Sequence, residues 1–387
     1  MKLWQWYKNI SFMKKMGAGF ALGMLAGLLL GEHSGIFNPL GQLFLNLLKM
    51  IVIPLVALSL MVAVNHSNPK ELGRIGLKIF PFYLITTGIA VVVGILWAKL
   101  TKPGQGFSLP TDAAINVPEK PSFIDNLLNM VPANIFEALT AGNILAVVFV
   151  SLVFGLAILF MRHGDDTQEN NFGEKIYQVV EAANAVVAKI LAGILQYAPI
   201  GVFGITANTF GSQGFATVIA LSKFIITSYL GVISLIVIVF PLIMKMFGIK
   251  PFQFYKDVKD AMFTAFATSS SLSTLPVSIA AVERAGVNER IARLTLPIGA
   301  TVNMNGTALR FGVAVIFAAE IVGISMGVSE LATIVVIGVM AAVGTAAVPG
   351  AGLIGMSIVF AQAGLPIEIV ALTAGVNVLL DMILGLT

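Results

Sequence analysis

The chain has 387 residues, of which 57% are hydrophobic and only 11% are charged. A soluble domain carries about 25% charged residues, and the mean hydropathy of this chain is +0.94. This composition argues against a soluble enzyme or a nucleic-acid-binding protein and predicts a membrane protein. The net charge of +4 fits that class, and the lack of cysteine excludes disulfides and thiolate chemistry.

Apolar runs recur along the whole chain, and a spanning helix needs about 20 such residues. On that length, the first six predicted spans are 13–31, 39–65, 77–99, 143–161, 175–210 and 216–246. Residues 100–142 form a connector that contains several Pro and Gly residues, and no cleavable signal peptide is predicted before the first span.

Basic residues are distributed unevenly between the predicted loops. Lys and Arg occur in the N-terminal segment and after the second and sixth spans, whereas the turns 32–38 and 211–215 contain neither. The positive-inside rule therefore predicts a cytoplasmic N-terminus. We expect a multi-pass protein of the inner (plasma) membrane.

Two later segments, 258–290 and 328–363, differ from ordinary spans because small residues and a proline interrupt each of them. Each is too broken for one straight helix and too short to cross twice, so we predict two re-entrant hairpins. Helices at 291–323 and 366–387 follow them. The prediction is an all-α polytopic membrane protein with eight transmembrane helices and two hairpins in inverted repeats. The alternative is two ordinary helix pairs with Gly-rich packing faces.

The seventh predicted span is interrupted by Asn303, Met304, Asn305, Gly306 and Thr307. Two amides, a glycine and a hydroxyl are costly in mid-membrane unless they are used. Unwound backbone there would offer carbonyl oxygens to Na⁺, and the helix that follows would point its positive end at an anion. The alternative is a Gly-kinked helix whose amides bond to neighbouring helices.

Asp381 in the last helix is a second candidate, because an intramembrane carboxylate serves most simply as the counter-ion of an ammonium group or a cation. Asn377 lies one turn earlier on the same face. The alternative for Asp381 is an ion pair with a Lys or Arg of another helix. Arg310 lies one turn after Thr307, and we favour a structural pair for it over a place in the cavity.

Motifs of enzymes are missing from the sequence, which has no Walker loop, no G-x-S-x-G and no H-E-x-x-H. We therefore do not predict an enzyme. Without an ATP-binding domain, transport by this chain would be driven by an ion gradient.

Three motifs in the C-terminal half are distinctive: SSSLSTLPV at 269–277, LPIGATVNMNGTAL at 296–309 and GTAAVPGAG at 344–352. In order and spacing they resemble the glutamate transporter homologue family, the dicarboxylate/amino acid:cation symporters that include the excitatory amino-acid transporters. Further counterparts are LLKMIVIPLV at 47–56, FYLITT at 82–87 and LQYAPIGVF at 195–203. The resemblance covers essentially the whole chain.

The resemblance implies an elevator-type homotrimer in the lipid bilayer. Residues 1–76 and 100–215, with the first, second, fourth and fifth helices, would form a fixed scaffold. The third helix (77–99), the sixth (216–257) and the core 258–387 would form a transport domain that slides across the membrane, with the second hairpin as its gate.

By motif position, the resemblance also implies ligands for the cargo and for Na⁺. The cargo contacts would be Ser270, Ser271, Thr307 and Asp381, with Asp381 binding an amino group. Three Na⁺ positions would be formed by Tyr83, Thr86, Thr87, Asn303 and Asn305, by Gly299 with Asn303, and by Thr301 with the backbone from Ala342 to Thr345.

Departures from the family pattern affect these expectations. Asn305 stands where the family has Asp, which keeps an oxygen ligand but removes a charge that would offset a cation. Asn377 replaces another acidic residue, and Leu384 replaces the arginine that would bind the side-chain carboxylate of an acidic cargo. In relatives the last helix continues through an Asn and an Asp. Both would lie beyond Thr387, so either the chain is shortened or these ligands are lost.

The first hypothesis is a secondary symporter for a small amino acid, neutral rather than acidic, that is coupled to Na⁺. One alternative is a proton-coupled symporter of an amino acid or a dicarboxylate. Another is a transport-incompetent trimer that acts as a scaffold or as an anion pathway. No nucleic-acid partner is expected.

Overall fold

The computed structural model describes residues 12–65, 69–107, 131–140, 144–345 and 350–387, and the regular elements in these ranges are all helical. Several sequence-based expectations fall outside the described residues. These are the basic N-terminal segment 1–11, much of the connector 100–142 and the tip of the second hairpin at 346–349.

The helices fall into two halves of the chain. The first half contains α1 (Phe12–Leu30), a 3₁₀ helix (Gly31–Phe37), α2 (Asn38–Asn65), α3 (Pro69–Thr101), α4 (Ile135–Thr140), α5 (Ile144–His163) and α6 (Thr167–Gln213). The second half contains α7 (Phe215–Ser234), a π-helix (Leu235–Val239), α8 (Phe240–Met246), α9 (Pro251–Thr268), α10 (Ser271–Arg284), α11 (Glu289–Val302), α12 (Asn305–Ile321), α13 (Val328–Val343), α14 (Ala351–Gln362), α15 (Glu368–Ala374) and α16 (Asn377–Leu384).

Helical stretches of this protein are long and apolar enough to cross a membrane several times. In the described residues there are six, Lys14–Asn65, Lys78–Thr101, Ala146–His163, Thr167–Ser212, Ala216–Met246 and Glu289–Ile321. The first contains both α1 and α2, which were predicted as separate spans and which turn at Gly31, where φ is +55°. The chain is therefore a multi-pass, helical membrane protein.

Glycines let α1 and α2 pack closely on α6. Gly19, Gly23 and Gly27 recur every four residues along α1, and a Cβ at each position would clash with a backbone carbonyl oxygen of α6. This small-xxx-small spacing brings helix backbones together inside a membrane. Gly201 of α6 receives α2 in the same way, because a Cβ there would clash with Phe44. α5 completes this group by packing on α2 and α6.

The second half is organised around α12, which packs against α3, α7, α13 and α14. Gly94 of α3 leaves room for the backbone of α12 at Leu309, and Phe224 of α7 contacts Phe317 with ring centroids 4.9 Å apart. Nearly every residue of α12 is buried. Any polar group at the start of α12 is therefore enclosed by protein rather than by lipid.

Both predicted hairpins are present as helix pairs, since α9 packs on α10 and α13 packs on α14. The first begins at Pro251, several residues before the predicted start at 258. The predicted helix 291–323 is broken between α11 and α12, as the polar run indicated. A second break, between α15 and α16, and the π-helix within the sixth span were not predicted.

Candidate functional site

The break between α11 and α12 consists of Asn303 and Met304, which have φ, ψ values of −101°, 68° and −96°, 66°. These values are far from helical, so the backbone groups on either side are released from the helix ladder. α12 then begins at Asn305, with its first backbone N–H groups at the break. The local sequence explains this, because Asn and Gly are poor formers of helix interior.

A small cavity lies where the two hairpins, the break and the last helix meet. It has a volume of about 70 Å³, and its lining residues are Ser269, Ser271, Asn303, Met304, Asn305, Gly306, Thr307, Gly352, Asp381, Leu384, Gly385 and Thr387. Of the four predicted cargo contacts, Ser271, Thr307 and Asp381 are brought together here. The cavity combines one carboxylate with hydroxyl and amide groups, which is suited to a small polar cargo.

Polar oxygens converge beside this cavity, between α3 and the break. Thr86 and Thr87 of α3 direct their hydroxyls to the Oδ1 atom of Asn303, at 3.1 and 3.3 Å. The Oδ1 atom of Asn305 is buried and has no hydrogen-bond partner among the residues that the structure describes. Hydroxyl and amide oxygens are ligands that hard cations prefer, and a buried acceptor without a partner is costly. These residues therefore fit a Na⁺ ion.

A larger cavity of about 520 Å³ adjoins the first one. It shares Ser271, Asn303 and Asn305 with the small cavity, and it extends along α3, α8, α9, α10 and α11. Tyr83 and Gly299 also line it, and the Tyr83 hydroxyl donates to the Thr295 carbonyl at 3.0 Å. Tyr83, Thr86, Asn303 and Asn305 of the first expected Na⁺ position thus line one cavity together with Gly299, and apolar side chains form most of the remaining lining.

The third expected Na⁺ position is not assembled as a set of free ligands. The hydroxyl of Thr301 donates to the Ile298 carbonyl at 3.0 Å, and that of Thr345 donates to the Ala341 carbonyl at 2.7 Å. Ala342 is fully buried in the hairpin helix α13. Both hydroxyls are therefore engaged with their own chain segments, and this Na⁺ position stays a prediction.

The three serines at the tip of the first hairpin have different roles. Ser269 is left-handed, with φ +50°, and its buried hydroxyl has no partner in the described structure, although it lines the small cavity. The Ser270 hydroxyl instead caps α10 by accepting from the Ser273 N–H at 3.3 Å. The sequence pointed to Ser270 and Ser271 and missed Ser269, because three consecutive serines do not reveal which one caps the helix.

Asp381 makes more contacts than the sequence suggested. Its Oδ1 accepts from Arg310 Nη1 at 3.0 Å, and its Oδ2 accepts from the Gly350 N–H at 2.9 Å and from Asn377 Nδ2 at 2.6 Å. The carboxylate therefore joins the last helix, α12 and the start of α14. The alternative in which Asp381 pairs with a basic residue of another helix is the arrangement observed.

Arg310 forms the structural pair that the sequence favoured, and its partner is the predicted cargo ligand. Its side chain is 1% exposed, and Nη1 also donates to Asn377 Oδ1 at 2.6 Å. Nε and Nη2 are buried without a partner in the described structure. Arg310 is not among the residues that line the small cavity, so it reaches the cavity only through Asp381.

Comparison with known proteins identifies the family of the chain. The sequence matches the model of the sodium:dicarboxylate symporter family over residues 12–386. It is 31% identical to a proton/sodium-glutamate symport protein of Geobacillus stearothermophilus, over 96% of this chain and 90% of that protein. It is 28% identical to a proton/glutamate-aspartate symporter of Escherichia coli (strain K12), over 97% of this chain and 89% of that protein. A C4-dicarboxylate transport protein of Anaeromyxobacter sp. (strain K) is also 28% identical, over 92% of this chain and 81% of that protein.

Proposed function

Since the chain belongs to the sodium:dicarboxylate symporter family, whose members are transporters and not enzymes, we propose that it moves a small organic carboxylate across the membrane together with Na⁺. The family is one of sodium or proton coupling, and the relatives carry glutamate, aspartate or C4-dicarboxylates by their names. This proposal keeps Na⁺ from the sequence prediction and treats the amino acid as one of two cargo classes.

The observation that carries the proposal is the convergence of polar oxygens at the break between α11 and α12. Asn303 accepts from both Thr86 and Thr87, and the nearby Asn305 has a buried oxygen for which the described part of the chain provides no partner. These oxygens are suitable ligands for a cation, and polar groups that are buried among apolar membrane helices are costly unless they have a function. The cargo cavity adjoins it, so bound cation and bound cargo would stabilise the same break.

The packing of the helices supports the elevator mechanism that the resemblance implied. α1, α2 and α5 pack on α6, while α3, α7, α13, α14 and α16 pack on α12. We propose that the first group, within 1–76 and 100–215, is the scaffold of a homotrimer. The segments 77–99, 216–257 and 258–387 would be the transport domain, with the N-terminus in the cytoplasm.

The test is uptake by proteoliposomes that contain the purified protein. Radiolabelled carboxylates and amino acids are offered with an inward gradient of Na⁺ or of choline, with and without a protonophore. We expect saturable uptake that requires Na⁺ and persists with the protonophore. Uptake without Na⁺ that collapses with the protonophore would establish the proton-coupled alternative instead. Absence of saturable uptake and of binding in both salts would favour the scaffold or anion-pathway alternative.

Asn305 provides a sharper test of the cation site. Asn305→Asp places a carboxylate beside Asn303, and the added charge should lower the Na⁺ concentration for half-maximal uptake about tenfold. Asn288→Asp is the matched control, because Asn288 is an exposed cap of α11 and Asp caps a helix equally well. The same Na⁺ dependence in wild type and Asn305→Asp would remove Asn305 from the cation site.

A further inference from the structure

The pairing of Arg310 with Asp381 was not used in the function proposed above, yet Asp381 is the one carboxylate among the described residues that line the small cavity. The Asp381 side chain is 15% exposed and reaches the cavity, whereas the Arg310 side chain is 1% exposed. The guanidinium of Arg310 thus pairs with the carboxylate that was expected to bind the amino group of the cargo.

The acceptor positions of Asp381 are nearly filled. An ionised carboxylate accepts about four hydrogen bonds, and Arg310, Asn377 and the Gly350 N–H account for three of them. An ammonium group brings three donors and a second positive charge. In a buried site the repulsion between that charge and the guanidinium would be weakly screened. The site therefore disfavours an ammonium group for two reasons: few acceptor positions of Asp381 remain free, and the positive charge of Arg310 repels the ammonium group.

The guanidinium of Arg310 is enclosed by protein and is held at Nη1 by Asp381 and Asn377. Nε and Nη2 are buried and have no hydrogen-bond partner among the described residues, so the positive charge of Arg310 is balanced there by Asp381. Gly352 at the start of α14 covers the group, since a Cβ there would lie 3.1 Å from Nη1 and 3.3 Å from Nη2. The glycine thus leaves room for the guanidinium to lie against the start of α14 while it stays paired with Asp381.

We propose that Arg310 takes the place at Asp381 that a cargo ammonium group would take, so that the site selects carboxylates without an amino group over the corresponding amino acids. This inference rests on the proposed symport and names the class of its cargo. Arg310 acts through Asp381 and is a positioning residue. The amino acid predicted from the sequence is then the disfavoured class, because that prediction relied on Asp381 to bind the amino group.

The experiment compares cargo pairs that differ only by the amino group. Binding of succinate against L-aspartate, and of propionate against L-alanine, is measured on the purified full chain by thermal shift in Na⁺ and in choline. A ligand of the folded state raises its stability by mass action. In wild type, the member without the amino group should bind at least about tenfold tighter in one pair or both.

Variants of Arg310 then test its role. Arg310→Met, which keeps length and removes charge, should abolish or invert the preference, and Arg310→Lys should restore it. Should Arg310→Met fail to fold, the double variant Arg310→Met with Asp381→Asn removes both charges and should bind the two members of each pair about equally. Arg293→Met is the matched control, because the Arg293 side chain is 63% exposed, and it should keep the wild-type preference.

The outcomes separate this inference from the function on which it rests. Na⁺-dependent binding with a preference for the amino acids, or an unchanged preference in the uncharged variants, would overturn the role of Arg310 and leave symport standing. A loss of affinity for all four compounds in equal proportion would show that Arg310 is merely structural. No Na⁺-dependent binding of any compound by the wild type would overturn the proposed function itself.

Discussion

The two hairpins have the same outline but are held in place by different forces. In the first hairpin, α9 and α10 carry exposed charges such as Asp260 and Arg284, whose side chains are 60% and 55% exposed and form an ion pair. In the second hairpin, α14 is buried along most of its length and carries no charged residue. The first hairpin thus presents charged residues on its outer face, while α14 of the second hairpin is buried and uncharged.

The tips of the hairpins differ in the same way. The first tip is fixed by its own residues, because Ser270 caps α10 and Thr274 donates to the Ser270 carbonyl at 2.9 Å. The described end of the second tip is fixed from outside, because the Gly350 N–H donates to Asp381. The described end of the second tip thus depends on a hydrogen bond to a residue of the last helix, whereas the first tip is held by hydrogen bonds among its own residues. This difference supports the gate role that the resemblance assigned to the second hairpin.

The largest expected effect comes from removing the carboxylate that fixes the second tip. Asp381→Ala leaves the buried Arg310 without its counter-charge and the Gly350 N–H without its acceptor. Breaking one side of a buried pair costs about 3–5 kcal/mol, so we expect a large fall in the thermal stability of the purified protein and loss of cargo binding. The measurement is the melting temperature in detergent with and without Na⁺.

The exposed pair of the first hairpin supplies the control for that experiment. Asp260→Ala removes the partner of Arg284, and exposed pairs contribute about 0–1 kcal/mol. The melting temperature should change little. Equal losses in Asp381→Ala and Asp260→Ala would show that the two hairpins do not differ as described.

A smaller effect is expected from the backbone of the second tip. Gly350 has φ +84°, and the left-handed region costs a residue with a Cβ about 1–2 kcal/mol. Gly350→Ala should lower stability by that amount and weaken cargo binding, because its N–H is moved away from Asp381. Gly286→Ala is the matched control, since Gly286 has φ +95° and open space around its Cβ position. It should show the stability cost alone, and weaker cargo binding in both variants would contradict the special role of the second tip.

The sequence predicted the parts of this fold that depend on composition and spacing. Apolar length located the spans, and the small residues around each proline located the hairpins. The amides and glycine at 303–307 located the break between α11 and α12. The π-helix at Leu235–Val239 and the break between α15 and α16 were missed, because the residues there are apolar and their periodicity does not differ from that of a continuous helix.

The site was predictable as a set of residues but not as a set of partners. Asp381 and Arg310 were each recognised as unusual, and a structural pair was considered for each. They lie 71 positions apart, and neither the position of α16 against α12 nor the glycine that admits the guanidinium can be read from spacing. The packing of the helices shows that the pair considered for Asp381 and the pair considered for Arg310 are the same interaction.

The smallest expected effects distinguish the serines at the first tip. Ser270→Ala removes the cap of α10 and should cost about 1 kcal/mol of stability, with cargo affinity unchanged because Ser270 is not among the residues that line the small cavity. Ser269→Ala should instead lower cargo affinity and leave stability nearly unchanged, since the Ser269 hydroxyl lines the cavity and has no partner in the described structure. Stability would stay within about 0.5 kcal/mol, and cargo affinity should fall severalfold. Thermal melts and cargo titrations in Na⁺ on both variants measure the two quantities. A loss of affinity confined to Ser270→Ala would return the cargo contact to the serine that the sequence first indicated, and it would mean that the first tip rearranges when cargo binds.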